Sequence, residues 1–419
     1  MKCRVVACVL ILMGNASRVL PGELRAGAAR VEVTPAKTDH LQIWGYDEPT
    51  QIQEGVHDPL HVRALVIDDG KKRAAVVACE VLLMTNLLWE TASRRVSEEA
   101  GIPVENQMLI AVHTHGAPVL ETNNGNKTVL TPYAQMVVHG IVDAVRQASG
   151  RLRPAQAGFG TGRANVNINR RARMADGGYW LGYNPDGPSD KTVGVVRVED
   201  LSGRPIAVLI NYGVHGVVMG PGNRQITADL PGATSRFVEQ QLGDPVVALW
   251  TSGAAGDQNP IHHDLDSDFE PVAAFGMLLG EEVLNVVRSI RASNRGDIRV
   301  MQRLVTCPGQ RVAPGPLPRK TYEFLDADPV PIRLSLMMVG HTALAGVSGE
   351  VFTRVWERLK DQSPFAHLLM LTLCNGYSGY LPDDAAYKQI SYEIAVSPVK
   401  KGCAENGIID KLLAMMDQD

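Results

Sequence analysis

The sequence has few aromatic residues, no long apolar segment and no cluster of basic residues. Aromatic side chains make up 5% of its 419 residues, and the formal net charge is −4. Because no Lys/Arg cluster is present to follow a phosphate backbone, we expect no nucleic-acid partner. No segment after the N-terminus approaches the roughly 20 apolar residues of a membrane span, so we predict no integral membrane span. A neutral or apolar substrate fits this composition best.

Cysteine is also scarce, and its spacing does not suit a metal. The chain has six cysteines and no CxxC motif, which argues against a thiolate metal site. The N-terminal stretch MKCRVVACVLILMGNASRVLPG places two basic residues before an apolar run and small residues after it. This pattern is typical of a secretory signal peptide. We therefore predict a signal peptide over residues 1–21 and a secreted or periplasmic mature protein.

Removal of the signal peptide leaves four cysteines: Cys79, Cys307, Cys374 and Cys403. Four cysteines in an exported protein allow up to two disulfides. Cys374 with Cys403 is a plausible pair, but the sequence leaves the connectivity open.

Strand-like and helix-like segments alternate over most of the chain. ALVIDDGKKRAAVVAC (64–79) predicts a hairpin around an Asp-Asp-Gly turn, and QMLIAV (107–112) predicts a buried strand. Helices are predicted at about Thr85–Ala100 and over 132–149, where a proline stands at the start. The alternation indicates an α/β fold, with α+β as the alternative. No repeat or low-complexity linker divides the chain, so we predict one domain over 22–419.

Several predicted strands end in polar side chains. AVHTHGAP places His113 and His115 one residue apart after an apolar strand, and His215, Glu350 and Tyr380 follow other strands. Ligands of open α/β sheets bind beyond the carboxyl ends of strands. Residues i and i+2 of an extended chain point to the same side, so both imidazoles can face one point. Together these side chains supply the three or four N/O ligands of a catalytic zinc site.

Most of these residues also have an ordinary structural interpretation. A single histidine at a strand end, such as His215, is more often a hydrogen-bonded structural residue than a ligand. Glu350 can instead cap a helix predicted to begin at Val351. His262 and His263 are adjacent and face opposite ways in an extended loop, so we interpret both as surface residues. Spacing alone favours a metal hydrolase without establishing one.

Seven short motifs, in order, resemble the catalytic domain of the neutral ceramidases. They are GVHDPLHVRALVI, AVHTHGAP, NVNINRR, NYGVHGVVMG, GAAGDQNP, SGEVF and CNGYSGYLPDDAAYKQISYE, and they extend from about Arg25 to about Tyr392. The resemblance implies a mixed-sheet, layered α/β hydrolase domain. It further implies a zinc cofactor and hydrolysis of the N-acyl amide bond of ceramide or a related N-acyl lipid. Because the chain stops at Asp419, we expect no C-terminal immunoglobulin-like domain.

The resemblance assigns the metal site by position. It implies that zinc is held by His113, His215, Glu350 and Tyr380. His115 matches a histidine that lies beside the zinc and contacts the reacting groups. Such a zinc ion lowers the pKa of its bound water toward about 7 and polarises the substrate carbonyl. An imidazole can then pass a proton to the leaving amine near neutral pH.

The resemblance also implies further catalytic residues. Arg170 and Tyr392 match residues that line the family's site and help to hold the substrate or the oxyanion. Asn259 stands where the family's GDVSPN motif has a serine tied to activity. Asparagine cannot form an acyl intermediate, but it can donate a hydrogen bond. Attack by zinc-bound water is the consistent mechanism, and the predicted catalytic residues are His115, Arg170, Tyr392 and Asn259.

Two other functions fit the same residues. One is a metal-dependent hydrolase of another amide or ester. Metallo-β-lactamase-like hydrolases usually read HxHxDH, whereas Gly116, Ala117 and Pro118 follow His115 here. The other is a non-catalytic binding protein on the same fold, motivated by the missing serine, although all four ligand residues are present. The expected partner is a lipid or other amide substrate, and peripheral contact with a membrane stays open.

Overall fold

A computed structural model describes residues 23–43, 45, 51–294 and 296–418, so the predicted signal peptide lies outside the described residues. The strands are β1 (Arg25–Glu32), β2 (Gln42–Ile43), β3 (Gln51–Ile52), β4 (Gly55–Val56), β5 (His61–Asp68), β6 (Arg73–Cys79), β7 (Gln107–Ala111), β8 (Glu121–Asn124), β9 (Lys127–Leu130), β10 (Arg153–Arg163), β11 (Asn167–Arg173), β12 (Tyr179–Asn184), β13 (Thr192–Asp200), β14 (Pro205–Tyr212), β15 (Gln225–Ile226), β16 (Val247–Ser252), β17 (Gln258–Pro260), β18 (Ile298–Val312), β19 (Phe324–Val339), β20 (Thr342–Val347), β21 (Glu350–Val351), β22 (His367–Leu371) and β23 (Tyr380–Leu381). The α-helices are α1 (Asn86–Ala100), α2 (Pro132–Gly150), α3 (Asp229–Leu242), α4 (Glu270–Ser289), α5 (Thr353–Gln362), α6 (Tyr392–Val396) and α7 (Ala404–Met416).

The main sheet consists of two halves with the same topology. Its order is β16-β14-β13-β10-β1-β5-β6-β7, and the halves join through a short pairing of β1 with β10. In each half, two antiparallel pairings are followed by one parallel pairing, β6 with β7 and β14 with β16. A helix crosses over between the parallel strands, α1 in one half and α3 in the other. The chain thus builds one supersecondary unit twice, although its sequence shows no repeat.

The two halves pack face to face between helices. Strand β16 contacts β5, β6 and β7, and one hydrophobic cluster draws buried residues from both halves. Helices α1 and α2 cover the first half, and α3 and α4 cover the second. This helix–sheet–sheet–helix arrangement confirms the predicted layered, mixed-sheet α/β fold. Within the described residues, no helix combines the length and the apolar composition of a membrane-spanning segment.

Smaller sheets complete the structure and carry polar residues. A four-stranded sheet, β18-β19-β20-β22, packs with α5 and α7. A three-stranded sheet has the order β12-β11-β17, and β21 pairs in parallel with β23. These sheets hold several side chains of the site described below.

Local sequence signals explain the predicted elements. The hairpin over 64–79 forms as β5 and β6, and Gly70 adopts φ 82° in its turn. Helix α1 begins after Thr85, whose Oγ1 accepts a hydrogen bond from the Leu88 amide, and ends at Gly101 with φ 67°. Such a cap and a left-handed glycine are strong helix boundaries. Helix α2 begins at Pro132, as predicted.

The plausible pairing of Cys374 with Cys403 is wrong. Cys403 forms a disulfide with Cys307, whereas Cys79 and Cys374 are buried free thiols. Cys307 lies on β18 and Cys403 immediately precedes α7, so the bond ties this helix to the sheet it covers. Cys374 instead lies between the sheets, where it is fully buried.

Removal of the disulfide should destabilise the protein. The bond closes a loop with a sequence separation of 96 residues. We expect Cys403→Ser to lower the free energy of unfolding by about 2–4 kcal/mol, because the unfolded chain gains conformational freedom. Denaturant unfolding of the variant, with and without reductant, measures this change. The wild-type protein should lose the same amount on reduction, and unchanged stability in the variant would contradict the pairing.

Candidate functional site

The loops after β7 and β14 meet where the two halves of the main sheet pack together. Thr114 and Gly216 form an isolated parallel bridge, and the His115 amide donates to the Gly216 carbonyl. A Cβ atom at Gly216 would lie 2.7 Å from the His113 carbonyl oxygen, so only glycine permits this approach. The bridge brings His113 and His115 beside His215.

His113 and His215 present the same ring nitrogen to one point. His113 Nδ1 lies 2.8 Å from the Leu82 carbonyl oxygen, and His215 Nδ1 lies 3.0 Å from that of Gln258. A carbonyl oxygen only accepts hydrogen bonds, so each Nδ1 carries a proton, and Nε2 of the neutral imidazole keeps a lone pair. His113 also adopts φ 69°, a strained conformation for a non-glycine residue.

The two Nε2 atoms face the same carboxylate oxygen. Glu350 Oε2 lies 3.3 Å from His113 Nε2 and 3.1 Å from His215 Nε2. Burial lowers the pKa of His215 to about 3, with the nearby Arg170 and His113 acting in the same direction, so its imidazole is neutral. The His215 lone pair therefore faces the carboxylate oxygen without a proton between them, and His113 Nε2 makes no hydrogen bond. A cation satisfies this arrangement, so these residues fit a metal ion.

His115 completes a cluster of three histidines. Ligand atoms of His113, His115 and His215 all lie within 4.8 Å of one another, close enough to hold a metal ion together. His115 is only partly buried and lines the cleft, whereas the other two are buried. Burial and the neighbouring imidazoles hold its pKa well below the usual range of histidine, so His115 is neutral before a reaction begins.

Tyr380 and Glu350 lie side by side because β21 pairs with β23 at these two residues. Glu350 therefore belongs to a strand, and it does not cap the helix, since α5 begins later, at Thr353. The Tyr380 hydroxyl accepts a hydrogen bond of 2.9 Å from Arg170 Nη2. The Tyr377 hydroxyl donates to Glu350 Oε1 at 2.9 Å, which leaves Oε2 directed at the imidazoles.

Arg170 connects three parts of the site. Its Nε donates to Glu393 Oε1 at 2.6 Å, its Nη1 to Asn259 Oδ1 at 3.1 Å, and its Nη2 to Tyr380. Because a guanidinium only donates, this contact fixes the Asn259 amide with its oxygen toward Arg170. The Asn259 NH₂ group is then the part available as a donor. Glu393 is fully buried and balances the charge of Arg170.

The predicted residues line one cleft of about 590 Å³. Tyr392 stands at the start of α6, and its ring meets those of Tyr380 and Trp180 edge to face at 6.0 and 5.8 Å. Seven of the eight predicted site residues line the cleft, and the eighth, His215, contacts it through Glu350. The remaining lining is largely apolar or aromatic and includes Leu82, Leu83, Trp180, Leu181, Val217 and Leu317.

The sequence did not identify three residues of this site. Tyr377 orients Glu350, and Glu393 holds Arg170. The interpretation of His263 as a surface residue is wrong, because it lines the cleft and only 10% of its side chain is exposed. His262 is exposed, as predicted. Tyr377 and Glu393 stand within the CNGYSGY and SYE motifs, in which only Tyr380 and Tyr392 were singled out.

Comparisons with known proteins identify a family for this chain. Residues 24–299 match the family model "Neutral/alkaline non-lysosomal ceramidase, N-terminal". The chain is 28% identical over 263 residues to neutral ceramidase B of Dictyostelium discoideum, covering 56% of this chain and 35% of that protein. It is 25% identical over 272 residues to the neutral ceramidase of Pseudomonas aeruginosa, covering 61% and 40%. The matches therefore span well under half the length of these relatives.

A solved structure has a similar fold. The crystal structure of neutral ceramidase from Pseudomonas aeruginosa matches with a TM-score of 0.77 and 17% identity, covering 94% of this chain and 75% of that chain. At this identity the match establishes the fold alone. It extends well beyond residue 299, where the family model ends, into the region that carries Glu350, Tyr380 and Tyr392.

Loss of a converging ligand should remove bound metal. We expect His113→Ala and Glu350→Ala to reduce bound divalent metal from about one ion per chain to nearly none, because a catalytic metal keeps only three or four protein ligands. Elemental mass spectrometry after gel filtration measures the content. His262→Ala, which removes an exposed histidine, is the matched control and should keep the metal. Full metal content in His113→Ala would contradict the site.

Proposed function

Because the chain belongs to the neutral/alkaline non-lysosomal ceramidase family, we propose that it is a zinc-dependent amidohydrolase that cleaves the N-acyl bond of ceramide or a related N-acyl lipid. One observation carries the proposal. Two imidazoles and a carboxylate converge on one point in a largely apolar cleft. Nitrogen and oxygen donors of this kind suit zinc, and Tyr380 stands beside them as the proposed fourth ligand.

When bound, a zinc ion supplies Lewis acidity for hydrolysis. The surrounding residues hold the ion, orient its ligands and exclude water. His113, His215 and Glu350 hold the ion, and Tyr377 keeps the Glu350 carboxylate in place. The apolar lining receives the acyl chain and excludes bulk water. Exclusion of water strengthens every polar contact inside the cleft.

Two donors are proposed to stabilise the oxyanion that forms when water attacks the amide carbon. Arg170 contributes its positive charge, and its contact with the Asn259 oxygen leaves the asparagine NH₂ group as the donor. Fixed donors of this type stabilise developing negative charge without reorganisation during the reaction. The ring of Tyr392, packed against Tyr380 and Trp180, borders the space for the substrate.

His115 is the proposed proton carrier. It is neutral in the resting site, so it can accept a proton from the attacking water and return it to the leaving nitrogen. The chain has no serine at position 259 to form an acyl intermediate, and direct attack by water needs none. The same residues suit other amides or esters of similar shape, and the choice among them depends on the cleft beyond the reacting centre.

We further propose that the protein is exported. The N-terminal pattern of basic, apolar and small residues supports this location, and so does the Cys307–Cys403 disulfide. N-terminal sequencing of the chain recovered outside the cytoplasm tests the location directly. A chain that stays in the cytoplasm with an uncleaved N-terminus would contradict the proposal.

The purified protein should release fatty acid from ceramide in a metal-dependent reaction. We expect His115→Ala to lower turnover by about 10²–10⁴-fold, because proton transfer to the leaving amine is lost. Its metal content should stay near that of the wild type. Mass spectrometry of the products, with a chelator-treated sample alongside, measures release. Loss of metal in His115→Ala would make this residue a ligand, and no release from a folded, zinc-loaded protein would remove ceramide as the substrate.

Replacement of Asn259 should affect the transition state more than substrate binding. We expect Asn259→Leu, which keeps the volume but loses the donor, to lower kcat by about 10²–10³-fold with little change in KM. Steady-state kinetics on the same amide measures both constants. Asn259→Gln retains an amide and serves as the comparison. Equal kcat values for wild type and Asn259→Leu would exclude a role in oxyanion stabilisation.

A further inference from the structure

A second cavity lies between the two halves of the main sheet, where the four-stranded sheet borders them. Its volume is about 150 Å³, and none of its lining residues lines the cleft that holds the three histidines. The inner wall consists of buried apolar side chains from both halves and from the four-stranded sheet, among them Leu65, Ile67, Val196, Leu209, Met337 and Leu344. An apolar cavity of this size excludes water and accepts an apolar molecule about as large as benzene.

The opening of this cavity is polar and basic. Arg291, His341 and His367 line the cavity and are exposed, and the lining residues that the structure describes include no acidic one. The two histidines are neighbours, because Thr342 pairs with His367 across β20 and β22. The His367 ring stacks on that of Phe159 at 4.7 Å. The opening therefore offers one permanent positive charge and two imidazoles that can donate hydrogen bonds.

The backbone holds Arg291 at this opening. The segment after α4 pairs with β10, since Ala157 and Ser293 exchange two backbone hydrogen bonds of 2.9 Å. A Cβ atom at Gly158 would lie 2.7 Å from the Arg291 carbonyl oxygen, so a glycine lets the two segments pack this closely. Within the described residues, the Arg291 guanidinium forms no ion pair. Its charge is thus free to bind a ligand.

The shape and charge of the cavity define the chemistry of that ligand. Packed sheets lie about 10 Å apart, so a gap between them admits one alkyl chain more readily than a wide ring system. By volume, the cavity holds a chain of about six carbons. A guanidinium at the open end suits a carboxylate, which it can bind through two parallel hydrogen bonds. An alkyl chain that ends in a carboxylate satisfies both requirements.

We propose that this cavity is a second ligand site, which binds a fatty acid of about eight carbons with its alkyl chain inside and its carboxylate on Arg291. The ligand touches both halves of the main sheet and the four-stranded sheet, so its binding stabilises their packing. Fatty acids are also the class of product that the proposed hydrolysis releases, but this site does not depend on that reaction.

Titration calorimetry with three small probes tests the site. Octanoate carries both the chain and the carboxylate, butyrate has a shorter chain, and octyltrimethylammonium has the same chain length with the opposite charge. We expect the wild type to bind octanoate at least about tenfold more tightly than butyrate, because butyrate buries fewer methylene groups. Octanoate should also bind about tenfold more tightly than octyltrimethylammonium, which Arg291 repels.

Two variants place the charge and the chain. Arg291→Glu should lose the preference for octanoate over octyltrimethylammonium, because repulsion of the carboxylate replaces attraction. Arg288→Glu is the matched control: this exposed arginine in the last turn of α4 does not line the cavity, so the preference should stay. Val196→Phe fills the cavity and should weaken octanoate binding at least about tenfold. If that variant does not fold, Val196→Leu should weaken binding in the same direction.

Four results would overturn the proposal: no binding of octanoate, equal affinity for octanoate and butyrate, an unchanged charge preference in Arg291→Glu, or undiminished binding in the folded Val196 variants. The last two results would show that octanoate binds elsewhere, for example in the cleft. Failure of the proposed function has a different signature, because binding is measured here without turnover. A protein that binds octanoate in this way and hydrolyses no amide would refute the proposed function alone.

Discussion

The site depends on two imidazole nitrogens and one carboxylate oxygen that meet at one buried point. Backbone carbonyls accept hydrogen bonds from Nδ1 of His113 and His215, so both Nε2 atoms are directed at Glu350 Oε2. Such an arrangement is costly in a buried site unless a cation lies between the groups. The rest of the neighbourhood acts to maintain it. His113 keeps a left-handed backbone, Gly216 permits the loops to touch, and Tyr377 holds the far carboxylate oxygen.

The duplicated topology explains how distant residues reach this point. Each half of the main sheet ends in a parallel pair, and a histidine loop follows a strand of each pair: His113 after β7 and His215 after β14. Face-to-face packing of the halves brings those loops together. The smaller sheets then add Glu350 and Tyr380 from one pairing and Arg170 and Asn259 from another. No single element carries the site, so its geometry depends on the whole fold.

Local patterns predicted much of this structure. Turn glycines, a threonine cap and a proline at a helix start act within a few residues, and the elements they mark formed as expected. The His-x-His step and the ordered motifs predicted which side chains meet. Tertiary contacts were harder to predict. The partner of Cys403 depends on how α7 lies on its sheet, and the residues that hold Glu350 and Arg170 are distant in sequence.

His263 illustrates the same limit. Adjacent residues face opposite sides in an extended chain, and that argument separates His262 from His263 correctly. It does not reveal which of them turns inward. Tertiary contacts such as the stacking of His263 on Tyr183 show it, and no sequence pattern reveals them.

The most direct test is anomalous X-ray diffraction at the zinc edge from crystals of the zinc-loaded protein. The account predicts one strong peak at roughly 2.0–2.2 Å from His113 Nε2, His215 Nε2 and Glu350 Oε2, with the Tyr380 hydroxyl facing it. The absence of a peak, with Glu350 held by protons from the two imidazoles instead, would contradict the convergence of lone pairs on which this account depends.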